Sequence, residues 1–350
     1  MNPTPFNASA SAQTPFTQGL PGPWTAIFVA VALAIYPLVM SALDQAFYVN
    51  LGSRVLIFAL AASALNLALG YGGMISLGHA AFLGIGGYVV AVLANNGVYS
   101  AWLSFPLAIG LAAATALLIG VVSLRTKGVY FIMITLAFAQ VFYYLAISLP
   151  EFGGDDGLQL ARRSSVPGLD LSSALSFYFF VLFTAGLAFV LLYRLVASRF
   201  GRAIVAIREN ERRMAAIGYP VFRLKLAAFA LSGGLCGLAG ALLANASTSI
   251  TPHTLTWHQS GLLIVMVILG GSGYFWGGLT GAAVYLILEE TISDHTEHWN
   301  LVLGALLLFI VMAAPNGVMS LRQHLAKRVG GARGHGTAPL AATSHEGEAK

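Results

Sequence analysis

Between residues 24 and 313 one apolar run follows another, and only one interruption, residues 198–225, is dense in positive charge. That alternation constrains the fold more than any other feature of the chain. A helical run of about twenty apolar residues matches the thickness of a bilayer's hydrocarbon core, where a barrel strand needs only about ten. The basic stretch holds Arg199, Arg202, Arg208, Arg212, Arg213, Arg223 and Lys225, seven of the eighteen Lys and Arg residues. It cannot cross the membrane, because each central Arg costs about 2.5–3.5 kcal/mol to insert. The chain is 57% hydrophobic and 9% charged, against about 25% charged for soluble domains. The sequence therefore predicts an all-α, polytopic membrane protein.

Ten spans are expected, at residues 24–43, 47–69, 70–94, 102–124, 128–149, 174–196, 226–246, 261–269, 279–289 and 299–313. The third is rich in glycine, which predicts close helix packing or a broken helix. The eighth and ninth are short enough to be half-helices of a re-entrant element. Residues 24–317 are read as one transmembrane domain. Residues 1–23 are polar, Pro-rich and free of Lys and Arg. They are read as a disordered segment before a retained anchor, since a cleavable signal peptide would start with basic residues. Residues 318–350 are read as a cytoplasmic tail, disordered from about 330. If residues 198–225 are cytoplasmic, fifteen of the eighteen Lys and Arg residues fall on that side. That bias places both termini in the cytoplasm.

Within the basic stretch, residues 203–217 contain neither Pro nor Gly, and Gly218 and Pro220 follow. A helix with a definite stop is expected. Glu209 and Arg213 are four apart, the spacing of a helix-surface ion pair. Ile207, Met214 and Ile217 have the spacing of one apolar face. A solvated loop that merely fixes topology is the competing reading. The ordered pattern of charge, apolar face and stop favours a short helix that docks on a soluble partner.

The spans carry polar but uncharged groups at Asn66, Ser76, His79, Thr135 and Gln140. Such groups are candidates for a translocation path, and hydrogen bonds between helices are the competing explanation. Gly233 and Gly237, Cys236 and Gly240, and Gly277 and Gly281 stand four apart, the spacing of tight helix contacts. Enzymatic signatures are missing: the sequence has no phosphate-binding loop, no His-Glu-x-x-His, one cysteine and no convincing metal-ligand set. Glu289 and Glu290 lie at a span end, where an interfacial role is expected. No acidic residue sits clearly at mid-membrane, which argues against an ion-coupled transporter and for energy supplied from elsewhere.

Four blocks give the chain a family likeness. They are residues 64–84, ending in Gly70-Tyr-Gly-Gly-Met-Ile-Ser-Leu-Gly-His-Ala-Ala-Phe-Leu-Gly84; residues 128–137 with 153–158; the basic stretch running into residues 232–242; and residues 270–282. Together they resemble the LivM-type permease subunits of bacterial branched-chain amino-acid ABC importers, over roughly residues 55–317. The chain has Gly277-Gly278 where that family often carries Gly-Pro. The related urea-importer permeases share the same blocks. The resemblance implies an inner-membrane transport subunit without a cofactor. Its implied partners are a homologous second permease, two ABC ATPase subunits, a periplasmic substrate-binding protein and membrane lipid. It also implies that the ATPase-coupling helix is Arg208, Glu209, Asn210, Glu211, Arg212, Arg213, Met214, Ala215, Ile217, Gly218 and Tyr219. Asn66, Ser76, His79 and Gln140 are the candidate path residues.

Overall fold

The computed structural model describes residues 23–166, 170–313 and 317–319. The expectations for the segment before residue 23 and for the tail beyond residue 319 lie outside the described residues. Among the described residues the chain is all-α apart from one two-residue antiparallel pair, β1 (Leu158–Gln159) with β2 (Ser249–Ile250), and an isolated bridge between Ser100 and Ser165. The helices in order are α1 (Pro23–Ala42), α2 (Ala46–Asn66), α3 (His79–Asn95), α4 (Ala101–Ser123), α5 (Val129–Ser148) and α6 (Ala174–Ala197). They continue with α7 (Arg199–Glu209), α8 (Glu211–Ala216), α9 (Val221–Ser247), α10 (Trp257–Gly270), α11 (Gly277–Ser293) and α12 (Trp299–Ala313).

Six helices among the described residues are long and apolar enough to cross a membrane: α1, α2, α4, α5, α6 and α9. Shorter apolar helices are α3, α10 and α12. The protein is thus a multi-pass membrane protein. α2 and α9 form its centre. Each is buried along most of its length, and α9 packs on α2, α3 and α4. α1 lies at the edge, with Trp24 and Phe28 exposed. Exposed apolar side chains are the expected lipid-facing surface, since burial among helices gains little hydrophobic energy in a bilayer and association rests on packing.

Glycine makes that packing possible. A Cβ on Gly240 of α9 would collide with the Leu83 carbonyl of α3. Gly233 and Gly237 meet Ala116 and Ala112 of α4. Gly277 and Gly281 of α11 lie against the backbone of Gly271 and Met266 respectively, so α10 and α11 form a tightly apposed hairpin.

Several boundaries depart from the sequence reading. The glycine-rich third segment is broken: a π-helical turn, Leu67–Tyr71, ends α2, and residues 72–78 are non-helical before α3 begins. α9 starts at Val221, which draws Arg223 and Lys225 out of the expected loop and into the helix. α10 and α11 are longer than expected, at 14 and 17 residues. Residues 203–217 are not one helix but parts of two, α7 and α8, separated at Asn210.

A Gly240→Ala substitution, forced against the Leu83 carbonyl, should destabilise the protein by about 1–3 kcal/mol. Gly110→Ala, which meets open space, should leave the thermal midpoint of the purified protein unchanged.

Candidate functional site

The basic segment is built as two short helices with different exposures. α7 is amphipathic: Ala203, Ile204 and Ile207 are buried while Arg199, Arg202 and Glu209 face outward. It ends because Asn210 leaves helical geometry, its N–H still bonded to the Ala206 carbonyl. The Asn210 side chain then accepts from the Arg213 N–H at 2.9 Å and starts α8, as an N-cap does. The break rules out the expected Glu209–Arg213 ion pair along one helix. It also divides the expected apolar face. Ile207 and Met214 are buried on separate helices, and Ile217 is 65% exposed. Gly218 stops α8 at φ +87°, a left-handed conformation that glycine adopts without strain. The Tyr219 N–H reaches back to the Met214 carbonyl at 3.1 Å, closing the turn.

α8 therefore presents Arg212, Arg213, Ala215 and Ile217 on its outer surface, with Gly218 and Tyr219 beyond, while Met214 anchors it inward. Glu211 fixes its other end. Its carboxylate lies 2.9 Å from Lys127 Nζ, in the α4–α5 loop, and 3.0 Å from Lys225 Nζ, on α9. Partial burial works against the ionised carboxyl. The hydrogen bonds and charges of the two lysines outweigh it and hold the group below its ordinary pKa.

Arg208 carries the connection inward. Its guanidinium donates to the carbonyl of Gly70, in the π-helical turn that ends α2. Gly70 is required there by close approach, because a Cβ would strike the Asn66 side chain and the backbone of Gly273. Asn66 is buried and uses both ends of its amide on the α10–α11 turn. Nδ2 donates to the Tyr274 carbonyl at 2.8 Å, and Oδ1 accepts from the Gly273 N–H at 2.9 Å. Four pieces of irregular backbone or helix end are thus tied together: α7, the end of α2, the 72–78 segment through Gly73, which packs on Arg208, and the α10–α11 turn.

The other candidate path residues behave differently. Ser232 of α9 gives its single proton to the Ala64 carbonyl of α2. The 2.8 Å bond between Ser232 Oγ and His79 Nε2 must then be donated by the imidazole. His79 is fully buried, edge-on to Phe82 and Phe229. It therefore joins α2, α3 and α9. Ser76 is buried and accepts from the Gly78 N–H at 3.1 Å. The non-helical segment is further held by Thr135 of α5, which accepts from Leu77 N–H, and the start of α3 by Ser260 of α10, which accepts from Ala80 N–H. Gln140 is half-buried on α5, apart from this network. The structure thus brings Asn66 and His79 to one end of α2, and gives Asn66, Ser76 and His79 bonding roles within the fold.

The sequence profile described as branched-chain amino acid transport system, permease component, matches residues 47–311. The chain belongs to this family. It is 27% identical over 311 residues to the high-affinity branched-chain amino acid transport system permease protein LivM of Salmonella typhimurium, covering 82% of this chain and 73% of that protein. The LivM of Escherichia coli is similar to the same extent. The L-arabinose transport system permease protein AraH of Escherichia coli is 32% identical over 99 residues, or 28% of this chain and 29% of that protein. No solved structure matches the chain.

For a permease of this family the sequence alone gave no notice of three interactions. The Arg208–Gly70 bond joins residues 138 apart, and only the break in glycine-rich backbone hinted at a carbonyl needing a donor. Ser232 is a lone hydroxyl among glycines, a pattern that marks a helix contact. The sequence puts Glu211 on a docking helix, but its two lysines lie in a different loop and in α9.

Glu211→Gln should loosen α8, read as faster amide hydrogen exchange across residues 211–219 at neutral pH. The sign of the pH effect follows from the lowered carboxyl pKa. The stabilisation is complete above the unfolded value, about 4.3, and is lost as pH falls through the lower folded value. Wild-type protection of α8 should therefore hold at neutral pH and decline only in acid.

Proposed function

We propose that this chain is the transmembrane permease subunit of an ABC importer that carries leucine, isoleucine and valine across the inner membrane. Energy comes from ATP hydrolysis on separate subunits. The chain pairs with a homologous second permease, two ABC ATPase subunits and a periplasmic substrate-binding protein. The observation that carries this reading is α8. It and the turn that follows it expose Arg212, Arg213, Ile217 and Tyr219 at one end of the bundle, while neighbouring Arg208 is bonded to the core at Gly70. A charged and apolar tip linked to the membrane core is what a docking element needs if closure of the ATPases is to move the spans. Residues 208–219 are that element.

Orientation follows from charge. Glu211 joins the Arg125–Lys127 loop to the base of α9, so the two basic regions share one side, the cytoplasmic one by the positive-inside rule. All helices among the described residues except α7 and α8 then traverse the membrane, ten in number, with both termini inside. α10 and α11 are about 21 and 26 Å long by helix rise, shorter than the ~30 Å hydrocarbon core. Their connecting turn lies inside the protein at the end of α2, where irregular backbone is tolerated because Asn66 satisfies it. Asn66, Ser76, His79 and Gln140 are assigned to the walls of the pathway, the first three through the backbone they hold in place.

Two measurements test this reading. Deleting the gene should abolish uptake of labelled leucine in cells with no second leucine system, and valine and isoleucine, but not urea, should compete in the wild type. Unchanged leucine uptake after deletion overturns the substrate. Reversing charge at Arg212 and Arg213 to Glu should reduce recovery of the ATPase subunits with the permease by about tenfold, the loss of two interfacial charges. Full assembly and uptake in that variant overturns the docking assignment.

A further inference from the structure

The end of α2 opposite Gly70 borders a partly open cavity of about 500 Å³, lined by residues of α2, α9, β2, α10 and α11. Its lining is of two kinds. Arg54, Glu290 and Gln259 supply charge and hydrogen bonds, and Leu51, Phe58 and Leu243 supply an apolar wall. Arg54 lies about 12 Å along α2 from the helix start by helix rise, a depth where an arginine facing lipid is costly. Here its guanidinium turns into the cavity instead. It contacts Glu289 of α11 at 3.8 Å and stands over the Phe58 ring at 5.9 Å. That ion pair is long, and the Arg54 side chain remains 47% exposed. Most of the guanidinium's five N–H donors are therefore left for another acceptor. Glu290, one residue on, makes no ion pair among the described residues.

We infer that this cavity binds the α-amino acid in transit, with Arg54 holding the carboxylate, Glu290 the ammonium, and Leu51, Phe58 and Leu243 the branched side chain. The inference rests on the importer reading above and places a substrate site at the outer mouth of the subunit. A planar guanidinium recognises a carboxylate through two parallel hydrogen bonds. A free carboxylate beside it recognises the ammonium of the same zwitterion. The incoming carboxylate takes Arg54 from Glu289, whose long ion pair it replaces. A neutral solute such as urea would leave both charges unmatched. The volume lies in the range of small-molecule sites, about 300–1,000 Å³, and the mixture of an apolar wall with a few polar anchors is typical of them.

The test is leucine uptake by the complete complex in proteoliposomes at saturating binding protein, with Arg54→Gln and Glu290→Gln compared with wild type. Each should lower the maximal rate about tenfold, the loss of a charged hydrogen bond. The half-saturating leucine concentration should stay within about twofold, since the binding protein sets capture and the cavity acts after it. A merely structural Arg54–Glu289 pair predicts silence at Glu290, which makes no ion pair among the described residues. If Arg54→Gln fails to assemble, Glu290→Gln decides. Variants that assemble and transport within about twofold of wild type overturn the site. If the wild-type complex moves another solute and no branched-chain amino acid, the importer reading fails instead. The same variants then decide the cavity: loss of transport of a zwitterionic solute sustains it, and undiminished transport of any solute overturns it.

Discussion

A buried backbone carbonyl that loses its helical partner must find another donor, and in a membrane protein water is rarely at hand to supply one. The π-helical turn at the end of α2 creates that demand at Gly70, and Arg208 meets it from outside the bundle. Asn66 meets the matching demand of the α10–α11 turn with both ends of its amide. These bonds permit the chain to break its helices at residues 72–78 and 271–276. They also bind both breaks to the basic segment through Arg208 of α7. A side chain with five fixed donors suits this position. A lysine there would offer a point charge and lose the directed contact.

α2 then joins two different environments. At one end it is knotted to α7 and the α10–α11 turn, and at the other it carries Arg54 into a polar cavity shared with α11. α11 also touches both, since its first residues pack on α10 near the knot and Glu289 pairs with Arg54 at the far end. A tilt of α7 has a direct mechanical route to the cavity through these two helices. α3 and α9 pack closely against each other beside them. Gly240 packs without space on Leu83, and the His79–Ser232 bond closes the interface.

Much of the architecture was legible in the sequence because length and apolarity alone specify a membrane helix. α1, α4, α5 and α6 begin and end within about two residues of their apolar runs, the usual scatter of helix ends. Where local propensity met a specific capping residue, the reading failed. Residues 203–217 contain good helix formers throughout, yet Asn210 caps a second helix and turns the chain. The sequence reading starts this helix at residue 226, with Arg223 and Lys225 as loop charges, whereas α9 begins at Val221. In the structure Lys225 extends from the helix to Glu211. The polar residues within spans were recognised as important, but their partners were not. Asn66 meets residues more than two hundred positions away, and no local pattern encodes that contact. Arg54 is one of three arginines outside the basic regions, and only the fold brings it to Glu289 and to the cavity that Glu290 also lines.

The central claim is that motion of the basic segment reaches the membrane core through Arg208. The most direct measurement is the number of ATP molecules hydrolysed per leucine imported by the reconstituted complex, in wild type and in Arg208→Ala. The account predicts that the variant assembles and still hydrolyses ATP while import falls about tenfold or more, the loss of a charged hydrogen bond to the Gly70 carbonyl, so that the ratio rises. An assembled variant whose ratio equals that of wild type would contradict it.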